Sequence, residues 1–258
     1  MSRRPDGPPP PPAVQRLRLR YAKRGRLRFS SHRDFQRALE RALRRASVPM
    51  AYSAGFNPHP KISYANAAST GAASEAEYVE IAVTQRCDPD KIRAVLDEGL
   101  PDGLDVLDVV EVTSGALADR LEASEWQIAL TGIDENEARA AAATFLAAET
   151  VEVQRTTKNG VRTFDTRPSV AALEVVAARR PEEGQSPCAI LRVVVRHGTL
   201  QNELPSVRPD DVITGLRLVA GLAPPVAPAV TRLAQGPLDA DTVTVGDPLA
   251  PDREAALG

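Results

Sequence analysis

An α+β fold is what this sequence predicts, and three observations predict it. Short runs such as "VQRLRLRYAK" and "EWQIALTG" alternate apolar and polar residues with the period of two that a half-buried strand requires. Between them lie runs with apolar residues at helical spacing, of which "SSHRDFQRALERALRRAS" is the clearest. The two kinds succeed one another as strand, helix, strand, strand, helix, strand, and the rhythm returns in the second half of the chain.

The first strand begins near Val14, with Leu17, Leu19 and Tyr21 facing a core and Arg16, Arg18 and Arg20 forming an arginine-coated outer face. Gly25 marks a turn, after which "RLRFS" reads as a continuation of the strand. A helix follows: Ser31 caps it, Asp34 completes a capping box, and Pro49 stops it. Phe35, Ala38, Leu39, Ala42, Leu43 and Ala46 share one side of that helix, and Arg33, Arg37, Arg41, Arg44 and Arg45 fall mostly on the other. "EAEYVEIAV" is a strand, "DPDKIRAVLDEGL" a helix capped by Asp88 with Pro89 in its first turn, and "GLDVLDVVEV" a further strand.

In the second half, "EWQIALTG" is a strand opening on the only tryptophan, Trp126, and "DENEARAAAATFLAAE" a helix capped by Asp134. "VEVQRTTKNGVRTFDTR" signals a hairpin, because Asn159-Gly160 suits a left-handed turn. "CAILRVVVRHG" is a strand, "RPDDVITGLRLVAG" a helix opened by Pro209, and "APAVTRLAQGPL" a last strand; 167–187 fits only as an extra strand and loop. The order is that of two ferredoxin-like βαββαβ units, the second degenerate. The expected organisation is a disordered proline-rich leader over 1–13, a basic domain over 14–116, an acidic domain over 122–238 and a flexible tail over 239–258.

The charge distribution carries more than the net charge of −2. Residues 1–64 hold fifteen Lys or Arg against three acids, whereas the remainder holds seventeen against thirty-one. A basic end of this kind attracts phosphate backbones, an acidic protein partner, or the chain's own acidic part. Cys87 and Cys188, the only cysteines, lie too far apart for a cysteine-based metal site and fit a reducing, cytoplasmic setting. No stretch is apolar enough for a membrane helix. "STGAASEAEY" lacks the glycines and terminal Lys-Ser/Thr of a phosphate loop, and neither a dinucleotide fingerprint nor a nucleophile elbow occurs. No cofactor and no metal are expected.

Two segments stand out as candidate chemistry. His32, in the first turn of the arginine-rich helix, suits hydrogen bonding, ligand contact or general-base work, although helix capping accounts for its neighbours equally well. In "GFNPHPK" two prolines stiffen the chain around Asn57 and His59, Gly55 permits an unusual backbone angle, Phe56 offers a stacking face and Lys61 a phosphate contact. His32 and His59 are the weak catalytic candidates. The helix arginines with Gly55, Phe56, Asn57, His59 and Lys61 form the expected RNA-binding set, facing one shared cleft. Secondary contacts are expected from Ser74, Glu75, Asp165, Arg167 and Arg208; Arg155, Lys158, Arg162 and Arg167 make a smaller basic strip.

The stretch "RLRFSSHRDFQRALERALRRASVPMAYSAGFNPHPKIS" followed by "GAASEAEYVEI" resembles the radical SAM-linked domain of unknown function, with a looser likeness at "RTTKNGVRTFDTRP" and "RPDDV". That resemblance implies a setting near RNA modification, with a radical SAM enzyme or an E/G-type ribonuclease as partner. This chain lacks the Cys-x-x-x-Cys-x-x-Cys cluster, so radical chemistry would need a separate enzyme. The expected function is an RNA- or tRNA-binding accessory protein, with a protein-docking module and a metal-independent RNA endonuclease as the alternatives.

Overall fold

The structure, a computed structural model, describes residues 10–158, 160–179, 186–198 and 202–257. Most of the proline-rich leader and Asn159 of the hairpin turn lie outside the described residues. The chain is α+β and divides into two compact units. One comprises the described residues up to Ala118 together with those from Pro248 onward, and the other spans Asp119–Asp247.

The first unit runs β1 (Gln15–Lys23), α1 (His32–Arg45), β2 (Ile62–Ala65), β3 (Ala73–Val83), α2 (Pro89–Gly99) and β4 (Val106–Glu111). Its strands lie in the order β4-β1-β3-β2, every neighbour antiparallel. Register sets Leu17 opposite Ile81 and Leu19 opposite Val79, so one sheet face is continuously apolar. Phe35, Leu39 and Leu43 of α1 and Ile92 and Leu96 of α2 close over it. Pro at the first turn of α2 and the Asp88 carboxylate accepting the Asp90 amide at 3.0 Å explain where that helix starts.

The second unit runs β5 (Ala123–Thr131), α3 (Glu135–Ala147), β6 (Glu152–Thr157), β7 (Gly160–Asp165), β8 (Val170–Arg179), β9 (Cys188–Arg196), α4 (Pro209–Ala220), β10 (Ala229–Gly236) and the short pair β11 (Leu238–Asp239) and β12 (Thr244–Val245). The order β10-β5-β9-β8, again antiparallel, repeats the fourth-first-third-second arrangement of the first unit. α3 and α4 pack against each other, and Gly215 of α4 sits where an added Cβ would meet the Phe145 ring at 2.7 Å.

Three expectations are corrected. "RLRFS" does not continue the strand: Gly25–Phe29 is a short 3-10 turn, entered through a positive φ of 53° at Gly25. The hairpin read at "KNG" is β6–β7, which pairs with no other strand among the described residues, and the extra strand read within 167–187 is β8 of the main sheet. Periodicity cannot separate an inserted ribbon from a sheet strand, because both alternate. The residues read as a loose tail carry β12 and a last helix, α5 (Ala250–Leu257), with Leu249 fully buried.

The third concerns the arginine-coated face of β1. Arg18 is 0% exposed. Its guanidinium donates to Glu80, to Asp252 of α5 and to the carbonyls of Ser114 and Gly115. Arg253 reaches Asp108 of β4 at 2.7 Å, so α5 lies against the sheet on the side away from α1 and α2. The alternation of β1 was legible; that its polar face is covered by a segment 234 positions away was not.

Candidate functional site

The capping box fixes the entry to α1. The Ser31 hydroxyl accepts from the Asp34 amide at 3.2 Å, and the Asp34 carboxylate accepts from the Ser31 amide at 3.0 Å and its hydroxyl at 2.7 Å. Those Ser31 donors, with a smaller contribution from Arg37, hold the Asp34 carboxyl below the usual carboxylate range. Asp34 is therefore committed to the helix end and does not orient His32. The His32 ring instead stands edge-on to Tyr64, 4.6 Å between centroids, while Tyr64 meets Phe35 and Phe35 stacks on Tyr21 at 3.9 Å.

At 3.6 residues per turn, Arg33, Arg44, Arg37, Arg41 and Arg45 occupy one arc of about 120° opposite the buried stripe. All five are exposed, and none forms an ion pair with another described residue. Some arginines elsewhere are paired: Arg16, Arg18, Arg24, Arg86, Arg139, Arg155, Arg192 and Arg253 each hold a carboxylate. The α1 arc is a concentrated cationic surface without ion pairs among the described residues, with Asp34 at its N-terminal end.

The segment 51–61 forms a tight excursion at the end of β3. Tyr52 and Pro60 make an antiparallel bridge, the Ser53 amide donates to the His59 carbonyl at 2.8 Å, and the His59 amide donates to the Ser53 hydroxyl at 3.0 Å. Gly55 has a φ of 144°, which a side chain would strain. Gly55, Phe56, Asn57 and His59 are all exposed, Phe56 to 66%. Phe29, just before α1, is 59% exposed with the Arg28 guanidinium 4.6 Å from its ring centre. No contact joins His32 to His59 among the described residues, and none of their His, Cys, Asp and Glu side chains cluster in threes to hold a metal.

Lys61 does not share a cleft with the arginines. Ile62 and Tyr64 of β2 pack toward the core, so by strand alternation Lys61 and Ser63 point to the opposite sheet face. There Lys61, Ser63, Arg16, Glu80 and Ala82 line an open depression of about 350 Å³. The single shared cleft expected from the sequence is replaced by two surfaces of the first unit, separated by the sheet.

The secondary contacts are mostly structural. Ser74 is fully buried, and its hydroxyl accepts the Ala76 amide at 3.2 Å. Glu75 is held by Arg24 rather than by α1: Arg24 Nε donates to it at 2.7 Å, and a second guanidinium nitrogen grips its other oxygen. Asp165 accepts the amides of Val151 and Arg167, and Arg167 donates to the carbonyls of Leu146 and Val170. At Arg208, the amide end of α4 is occupied by Asp211, which accepts the Arg208 amide at 2.6 Å and also holds Arg155. Two polar residues of the first unit are buried: Lys23, which the sequence did not mark out, has its ammonium donating to the Ser69 carbonyl, and Glu77 accepts the Ala68 amide rather than holding an arginine of α1. Their strand positions look like ordinary alternation.

Fold and surface together define an α+β protein of two topologically alike units, the first of which carries a helix with an exposed arginine face. The chain belongs to a family of uncharacterised proteins conserved in bacteria, DUF2344, whose profile matches residues 16–209. No curated protein matches the chain in sequence comparison. No helix among the described residues is long and apolar enough to cross a membrane.

Proposed function

We propose that the protein is a cytoplasmic RNA- or tRNA-binding accessory module that presents substrate to an RNA-processing or modifying enzyme. The observation that carries this reading is the arc of Arg33, Arg37, Arg41, Arg44 and Arg45, five exposed arginines on one helix face with no ion pair among the described residues. Guanidinium groups in this state suit forked phosphate contacts and stacking on unpaired bases. The exposed rings of Phe29 and Phe56 add sequence-tolerant stacking surfaces in the same unit. A polyanion also fits the arc because none of the five arginines has an ion pair among the described residues to give up.

The test is retention of labelled single-stranded RNA and tRNA as a function of salt. Arg37→Glu with Arg41→Glu is expected to abolish retention at about 150 mM salt and to flatten the salt dependence. Asn57→Ala is expected to change preference among RNAs more than overall affinity. Unchanged retention in the double variant would remove α1 from the interface.

A second reading is docking on an acidic protein surface, with a radical SAM enzyme or an E/G-type ribonuclease as the partner. The exposed Phe56 favours it, since a projecting aromatic on a stiff loop is also an anchor for a protein pocket. A stable protein complex in native purification, without RNA at low salt, would select it. Cleavage by His32 or His59 is not part of the proposal: Asp34 is committed to Ser31, and the two histidines have separate surroundings.

A further inference from the structure

We infer that the β6–β7 ribbon of the second unit is a further contact for the phosphate backbone of single-stranded RNA, an inference that rests on the RNA-binding reading above. The ribbon pairs with no other strand among the described residues and is exposed along most of its length. From Val153 to Phe164 it contains Arg155, Lys158 and Arg162 and no acidic residue. The unit around it, residues 119–247, carries eighteen acidic and thirteen basic residues. A cationic strip inside acidic surroundings is a local reversal of field, not an extension of it.

Register makes the arrangement specific. Arg155 and Arg162 are directly opposite across the two strands, a placement in which like charges destabilise a ribbon. Both lie over one ring: the guanidinium carbons are 4.8 and 5.9 Å from the centre of Phe164. Arg155 is then neutralised at the base of the ribbon by Asp211 and donates to the Ser206 carbonyl at 2.9 Å. Arg162 has the ring and, among the described residues, no carboxylate. A guanidinium positioned against an aromatic face keeps its N–H edge for a planar, bidentate partner, and phosphate oxygens supply one. Lys158, exposed at the turn, adds a second positive charge. Arg167, which sequence grouped with this strip, faces inward and plays no part.

The experiment measures binding of a fluorescent twenty-nucleotide oligouridylate to the full chain at several salt concentrations. Three proteins are compared: unaltered, Lys158→Gln with Arg162→Gln, and Arg37→Glu with Arg41→Glu. Loss of two phosphate contacts on a single strand is expected to reduce the slope of log affinity against log salt by about 1.4 in the ribbon variant. Lys158→Arg with Arg162→Lys is expected to restore most of that slope, which separates charge from folding. If the ribbon variant keeps the original slope while the α1 variant loses it, the ribbon contact is overturned and the RNA-binding reading stands. If the unaltered protein binds no oligonucleotide even at low salt, both are overturned.

Discussion

Arg18 and Asp252 form an ion pair at 2.8 Å in which neither side chain reaches solvent, joining β1 to α5. Burying two charges is costly, and here the remaining hydrogen-bonding capacity is met as well. Arg18 also donates to Glu80 and two carbonyls, and the second Asp252 oxygen accepts from the amide and hydroxyl of Thr113. Removing one partner leaves an uncompensated buried charge. Asp252→Ala is therefore expected to destabilise the first unit by about 3–5 kcal/mol, while Arg18→Met with Asp252→Leu recovers most of the loss. Urea unfolding of the three proteins checks this, and a cost for Asp252→Ala no larger than that of a surface substitution would mean α5 does not hold the sheet.

His197 gives the second unit a dependence on pH. Its Nδ1 lies 2.8 Å from the Leu121 carbonyl, which can only accept, so Nδ1 carries the proton and Nε2 accepts from the Ser124 hydroxyl at 2.9 Å. Burial pushes its pKa down; the Leu121 carbonyl opposes that, and nearby Arg232 adds to it. An unfolded His takes up a proton below about 6.5, where the folded chain resists it. The stabilising contribution is complete above that pH and is lost as pH falls through the lower folded value. Urea unfolding between pH 5 and 8 should show a shallower pH dependence in His197→Gln than in the unaltered protein; identical curves would refute the assignment.

Tyr64 is a different kind of buried group. Its hydroxyl oxygen is shielded from solvent and has no hydrogen-bond partner among the described residues. Desolvation first, and Glu40 second, push its pKa well above the ordinary tyrosine value. An unsatisfied buried hydroxyl carries a desolvation penalty, so Tyr64→Phe is expected to raise stability by about 1 kcal/mol. Thermal unfolding measures it. A loss of RNA retention in that variant, with stability raised, would instead mark the hydroxyl as facing a ligand.

Gly215 sits in α4 at the contact with α3, where a Cβ would come 2.7 Å from Phe145 and 2.8 Å from Val151. Alanine is the better helix former by about 1 kcal/mol, yet overpacking a closed contact costs about 1–3 kcal/mol. Gly215→Ala should lower the denaturation midpoint, against the direction helix propensity alone dictates.

The sequence by itself determined the strands and helices whose pattern is local. The Ser31–Asp34 capping box, the apolar stripe of Phe35, Leu39 and Leu43 and the Asp88-Pro89 helix start are short-range chemistry, and each appears where spacing placed it. The exposed face of α1 follows from the same periodicity, so the five arginines were legible as a surface. Tertiary structure decided what covers that local pattern. Arg18 alternates like Arg16, but α5 returns from the far end of the chain to bury it. Lys61 adjoins the stiff loop in sequence, yet strand alternation turns it to the sheet face opposite α1. The hairpin and the extra strand β8 were legible, but which of them joins the main sheet is set by long-range pairing. Local periods set which way a residue faces; only the assembled fold sets what it meets there.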